Sequence, residues 1–271
     1  MTSNGVIGWP DQALGSRVPA GGWPVSVGLL QRAWRAIQGG EFDSGRAGSR
    51  RRGLDAPLRW QPQSGERVTV VVGAGGGVGA TSVALALATA AAPCRLVECA
   101  AAHDSGLAAA ATAELGEEAG WTRGRRAGVV LLRRTAAAGE LPATEDSSRL
   151  TVVDVGPWKQ LDTLASNTWA TSSPMVLVVP ATIPGLRRAE LALPDLPASR
   201  LCVASLGSPT RRWPRELRAA MGPATTALAE AGRWVSFPPD PQLALHGLSS
   251  ADLSRPLLAA GQQLLRIVEG L

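Results

Sequence analysis

Apolar residues in this chain fall into short runs, and the segments between the runs carry apolar positions at helical spacing. The first run is Val68, Val70, Val71 and Val72. It gives way to glycine at 73, 75, 76, 77 and 79, then to small and aliphatic residues from Ala80 to Ala88. A β-branched run, a glycine-rich turn and a helix-period segment read as strand, loop and helix. The same alternation continues. CRLVEC (94–99), GVVLLRRT (128–135), SRLTVVDVGPW (148–158), PMVLVVPAT (174–182), RLCVASLG (200–207) and RWVSFPP (233–239) read as further strands. Between them SGLAAAATAELG (105–116), closed by Gly116, and residues 159–171 read as helices. The chain ends on a helix over 250–269, with Leu257, Leu258, Leu264, Leu265 and Val268 apolar. Apolar strands alternating with helices predict an α/β fold, a mostly parallel sheet with helices on both faces.

Ahead of this domain (67–271) the pattern changes. Residues 1–24 are rich in glycine and proline without a period and read as a flexible arm. Residues 25–38 place Leu29, Leu30, Trp34 and Ile37 on one stripe with Gln31, Arg32 and Arg35 opposite, a short amphipathic helix. Residues 39–66, rich in Gly, Pro and Arg, read as a linker. A helix tethered in this way either docks a protein partner or folds back on the main domain.

Composition narrows the classes. No stretch approaches the ~18–20 consecutive apolar residues of a membrane span, and the N-terminus carries no secretory pattern, so the expected compartment is the cytoplasm. Cys94, Cys99 and Cys202 show no metal spacing and read as small buried thiols. Lys159 is the only lysine among 27 basic residues, and the formal charge is +5. That balance permits contact with nucleic acid or an anionic surface. The arginine, alanine, glycine and proline bias is also what a GC-rich bacterial genome writes, so nucleic acid is allowed as a partner without being favoured.

The glycine loop carries the chemistry. Backbone N–H groups at a strand-to-helix glycine turn curl around an anion, and the helix dipole favours negative charge there. A P-loop requires G-x-x-x-x-G-K-[ST], with lysine on the β/γ-phosphates and the hydroxyl on Mg²⁺. Aligned on Thr81, the chain has Ala74 for the first glycine, then Gly79, and Ala80 where the lysine belongs. The run Gly75-Gly76-Gly77-Val78-Gly79-Ala80-Thr81 resembles the deviant Walker A loop, K-G-G-x-G-K-[ST], of the ParA/MinD ATPases. It looks closest to their CpaE/TadZ-like branch, with Gly75 at the place of the signature lysine that crosses to the partner in an ATP-sandwich dimer. Both lysines are missing. The resemblance extends to Leu150-Thr151-Val152-Val153-Asp154-Val155-Gly156 as the Walker B strand and to Phe237-Pro238-Pro239-Asp240 as a closing segment.

That resemblance implies nucleotide contacts from Gly75, Gly76, Gly77, Val78, Gly79, Ala80, Thr81 and Ser82. It implies Mg²⁺ on Thr81 and, through water, on Asp154, with Gly156 at the γ-phosphate and Asp104 as a late substitute for the switch I acid. The implied cofactor is ATP or ADP with Mg²⁺, or none if the site has decayed. The implied role is a localisation or assembly factor for a pilus, secretion or conjugation machine. Such a factor works with protein partners and as a homodimer, and is recruited to a membrane-associated complex.

Two other readings stay open. Gly75 to Ala80 also satisfies G-x-G-x-x-[GA], and Glu98 ends the second strand 19 residues past Gly79, as a dinucleotide-binding oxidoreductase using NAD(P) requires. A turn that only packs a helix on the sheet is the third reading, although five glycines between 73 and 79 exceed what a tight turn needs. Without its lysines the loop loses rate on a scale of ~10²–10³ per electrostatic donor, so weak or absent hydrolysis is expected. Arg123, Arg125, Arg126, Arg133 and Arg134 are the arginines that could reach in. His103 and His246 have no triad or metal spacing. Trp213 lies on a basic stretch with Arg211, Arg212, Arg215 and Arg218, which reads as a solvated helix face or as a patch that meets DNA or an acidic partner.

Overall fold

The computed structural model describes residues 60–100, 104–135, 141, 150–164 and 167–271. The expected arm over 1–24, the helix over 25–38, most of the 39–66 linker and His103 lie outside the described residues. Among the described residues, nine strands form one sheet in the order β3-β4-β5-β2-β6-β1-β7-β8-β9. They are β1 (Arg67–Gly73), β2 (Cys94–Glu98), β3 (Ala113–Glu118), β4 (Trp121–Arg126), β5 (Val129–Arg134), β6 (Leu150–Pro157), β7 (Met175–Pro180), β8 (Leu201–Leu206) and β9 (Trp234–Phe237). The six strands from β2 to β9 in that order, together with β5, run parallel.

Successive residues of a strand point to opposite faces, and this sorts the core into two layers. Val70, Val72, Val153 and Val155 face one layer with Leu177 and Val203. Helix α3 (Ile183–Ala192) packs there through Leu186 and Ala189. Val71, Val152, Val176 and Val178 face the other layer, against α1 (Ala80–Ala90) and α7 (Arg255–Glu269). The shorter helices are α2 (Thr168–Ser172), α4 (Arg215–Ala219), α5 (Pro223–Glu230) and α6 (Pro241–His246). The α/β class with helices on both faces is therefore as expected. Among the described residues no helix is long and apolar enough to cross a membrane.

Three local expectations are corrected. Residues 105–116 do not form a helix. Leu107 and Ala110 are the buried apolar positions of that stretch, too few to dock a short helix whose stability must come from packing. The chain instead turns and enters β3, which is exposed along its whole length. Pairing with β4 holds it, helped by Glu114 to Arg133 and Glu118 to Arg123 contacts (the latter 2.9 Å). β3, β4 and β5 thus make an antiparallel edge. Residues 159–171 divide into a 3₁₀ segment, Trp158–Leu164, and α2. The last helix begins at Arg255 rather than 250, where Pro256 sets its first turn.

The N-terminal edge of the sheet is tied by a buried network. Arg95 donates to Glu66 (2.9 Å) and Thr151 (2.7 Å) and stacks over Trp60 at 4.8 Å, while Trp60 meets Trp169 edge-on at 4.9 Å. The tie leaves the opposite, C-terminal edge free for chemistry.

Helices α1 and α7 approach through Gly261, where an added Cβ would stand 2.5 Å from the Ala86 carbonyl oxygen. Gly261→Ala should therefore force the helices apart and destabilise the protein by about 1–3 kcal/mol. Urea denaturation at constant slope measures the loss.

Candidate functional site

The site forms where β1 ends. Gly73 closes the strand, and residues 74–79 wrap the N-terminus of α1, which no side chain caps. Gly77 and Gly79 adopt φ of 68° and 85°, conformations that a side chain would strain. At Gly79 a Cβ would also strike Leu206 of β8 at 2.5 Å. Gly76 differs. Its φ is not in the left-handed region, and a Cβ there would meet nothing within 4 Å. Neither packing nor backbone conformation demands glycine at 76.

Beside the loop, β6 carries a bulge. Val71 pairs with Asp154 but Val72 pairs with Gly156, so Val155 is the extra residue. Bulges re-aim side chains and are common next to active sites. Here Gly156, at φ 83°, donates its N–H to Asp154 Oδ1 at 3.0 Å, and the Thr81 hydroxyl donates to the same carboxylate. Asp154 is 1 % exposed. Burial raises its pKa, and the Thr81 and Gly156 hydrogen bonds pull the other way.

The loop, the bulge and the ends of β2 and β5 enclose a cavity of about 950 Å³. Gly75, Gly76, Gly77, Val78, Gly79, Ala80, Thr81, Asp104, Asp154 and Gly156, all anticipated from the sequence, line it together. Ser82 is not among the lining residues. Gln160 and Cys99, which the sequence did not single out, are. Burial pushes the Cys99 thiol up to about 12, with the Asp154 and Glu98 charges adding and the Arg134 charge opposing. Arg134 is the cationic side chain lining the cavity. Of the other arginines proposed to reach in, Arg123 bonds to Glu118, Arg126 to the Ala110, Ser249 and Ala251 carbonyls, and Arg133 to Ala108 O and Glu114, and none of them nor Arg125 lines the cavity. Lys159 and Arg188 line a second hollow of about 540 Å³ on the other side of Gly75 and Gly76.

Glu98 does not line the cavity. Its carboxylate accepts from the Ser105 hydroxyl and from the Gly106 (2.7 Å) and Leu107 (3.3 Å) N–H groups, so it clamps the loop that follows β2. Gly106 in turn sits against Thr81, where a Cβ would be 3.0 Å from Thr81 Cγ2. The dinucleotide-binding alternative fails here. In that sheet the glycine-loop strand adjoins the strand bearing the ribose acid, whereas β6 separates β1 from β2, and Glu98 is already spent on the 105–107 loop.

No family model matches the chain, and no curated protein matches it. Among solved structures it is similar to a ParA family ATPase from Chlorobium tepidum TLS, at 15% identity and a TM-score of 0.41, covering 75% of this chain and 96% of that one. It is also similar to a putative plasmid partition protein from Borrelia burgdorferi B31 bound to AMPPNP, at 12% identity, 76% and 98% coverage and a TM-score of 0.45. A nucleotide-binding protein from Archaeoglobus fulgidus in complex with ADP gives 12% identity, 73% and 87% coverage and a TM-score of 0.38.

The remaining sequence candidates resolve plainly. Trp213 is buried, stacks edge-on with Trp234 at 6.0 Å and donates to Ser208 O, while Arg211, Arg212, Arg215 and Arg218 are exposed. Asp240 caps α6, accepting from Gln242 and Leu243 N–H at 3.0 Å each. Among the described residues no three His, Cys, Asp or Glu side chains stand together as a metal cage.

Burial is the largest influence on Glu98 and raises its pKa, with the Asp154 charge adding and the three hydrogen bonds opposing. A group whose folded pKa is raised stabilises the fold below its ordinary range, and loses that contribution as pH climbs through the folded value. Glu98→Gln should therefore unfold about 2–4 °C above wild type at pH 7, for a gain on the order of 1 kcal/mol. The difference should vanish near pH 4. Calorimetric melts across that range check both the sign and the window.

Proposed function

We propose that this chain is a nucleotide-binding protein of the ParA/MinD kind with weak or no ATP hydrolysis. It serves as a localisation or assembly factor, CpaE/TadZ-like, for a pilus, secretion or conjugation machine. The observation that carries the reading is a single cavity lined by the glycine loop, Thr81 at the uncapped N-terminus of α1, and Asp154 at the bulge of β6. These residues fit a polyphosphate. The α1 dipole and loop N–H groups suit an anion, the cavity falls near the upper end of the range usual for small-molecule sites, and Gly76 leaves room for close contact. Thr81 and Asp154 would hold Mg²⁺, which neutralises phosphate charge when bound and keeps several waters as ligands.

Turnover is another matter. No lysine occurs in the loop, and Ala80 and Gly75 occupy both positions where the resemblance expects one. Binding survives on backbone donors and the metal, whereas transition-state charge lacks those lysines. A factor that reads nucleotide state without fast hydrolysis fits an assembly role, with residues 25–38 as the docking segment for a protein partner and a homodimer as the working form. The second reading, a partition-type ATPase on non-specific DNA, draws on the exposed Arg211, Arg212, Arg215 and Arg218. It requires DNA affinity that falls steeply with salt.

Isothermal titration with ATP/Mg²⁺, ADP/Mg²⁺ and NADH tests the site. Micromolar ATP binding that disappears on EDTA addition and in Thr81→Ala or Asp154→Asn is the expected result. Binding of NADH alone, or of nothing, sinks the reading. Gly76→Ala separates ligand from packing: the melting temperature should hold within about 1 °C, while ATP affinity falls at least about tenfold.

A further inference from the structure

We propose that Arg134 supplies, from within the same chain, the positive charge that the lysine-free loop cannot place on a bound polyphosphate. The inference rests on the nucleotide reading and names the residue that makes such a site workable.

The placement comes from the sheet. β5 lies beside β2 in parallel register, with Glu98 opposite Arg133. Arg134, the last residue of β5, therefore stands one step nearer the C-terminal edge, where the loop and the N-terminus of α1 converge. Neighbouring strand residues face opposite sides. Arg133 reaches outward to Glu114 and Ala108 O, while Arg134 turns into the cavity that also contains Thr81 and Asp154. Its residue is only 6 % exposed, so the guanidinium works in a partly desolvated setting.

Chemistry selects the ligand class. Among the described residues the cavity's charged lining is Asp104, Asp154 and Arg134, two acids against one base. That set does not attract a bare anion. It suits a polyphosphate carrying a divalent cation, with the cation on the acid side and Arg134 on phosphate oxygens. A guanidinium keeps its charge when buried and matches phosphate oxygens with a two-pronged donor set. Lys159 and Arg188 line the adjoining hollow, which shares Gly75 and Gly76 but not Thr81 or Asp154, and Arg188 Nη1 stands 3.6 Å from where a Cβ at Gly75 would be, so Arg188 is the rival that the test includes. The plainer role for Arg134 is a structural charge beside the Cys99 thiol, whose pKa it lowers against burial, and the test separates the two roles.

Titration of ATP/Mg²⁺ and of adenosine into wild type, Arg134→Gln, Arg134→Lys and Arg188→Gln reads the effect. Arg134→Gln should weaken ATP about 10–100-fold and leave adenosine unchanged. Arg134→Lys should keep part of the affinity, and Arg188→Gln should bind within twofold of wild type. Equal ATP binding by wild type and Arg134→Gln overturns the proposal and leaves the nucleotide reading standing, as does loss confined to Arg188→Gln. Wild type that binds no nucleotide fails the underlying reading itself. If Arg134→Gln does not fold, the wild-type protein still decides. In a ¹⁵N-arginine spectrum, the Nε–H signal that Arg134→Lys lacks should move with ATP/Mg²⁺ and stay still with adenosine. A signal unmoved by saturating ATP/Mg²⁺ overturns the proposal.

Discussion

Two carboxylates set the terms for the C-terminal edge of the sheet. Glu98 and Asp154 pair across β2 and β6 at the same level, each about 1 % exposed, and burial raises the pKa of both. Like charges so placed disfavour each other's ionisation. Neither is left bare: Glu98 takes the Ser105 hydroxyl and two loop N–H groups, and Asp154 takes the Thr81 hydroxyl and the Gly156 N–H. Those bonds order the site. Glu98 fixes the 105–107 loop, Gly106 of that loop abuts Thr81, and Thr81 closes the circuit to Asp154. Carboxylates whose burial favours the neutral form are the groups that the proposed cation would relieve.

On the proposed reading, backbone and metal, rather than lysine, would carry the burden of anion recognition. The helix dipole contributes less than a full charge and acts within the first turn. It cannot alone offset two acids. On the proposed reading, affinity would depend on a divalent ion and on Arg134, the guanidinium that lines the cavity among the described residues. The same electrostatics explain why binding and turnover come apart. Backbone N–H groups act on ground state and transition state alike, whereas rate requires charge that is better placed in the transition state.

The parts of the site that one strand-loop-helix unit contains were legible in the sequence. The valine run, the glycine block and the alanine-rich helix announce β1, the loop and α1 through period and composition. Asp154 was legible because it ends an apolar run before a glycine. Arg134 was one of five candidate arginines, and nothing local distinguishes it from Arg133. Only the antiparallel return of β4 onto β5, and the seating of β5 beside β2, turns one arginine outward and the next inward. The expected helix over 105–116 failed for a related reason. Alanine favours a helix in isolation, but this segment had a partner strand in β4 and too little apolar surface to dock any other way.

Sheet order also decides what local motifs cannot. Gly75 to Ala80 followed by Glu98 fits a dinucleotide fingerprint residue by residue, and no count of glycines separates it from a phosphate loop. The separation comes from which strand lies beside β1. Placing β6 there brings Asp154 to the loop and moves Glu98 one strand away, into the service of its own following loop. An acid beside the phosphates calls for a metal, whereas an acid at the ribose calls for hydroxyls. Because β6 intervenes, Asp154 and not Glu98 stands at the glycine loop, and that is the arrangement on which the proposed phosphate reading depends.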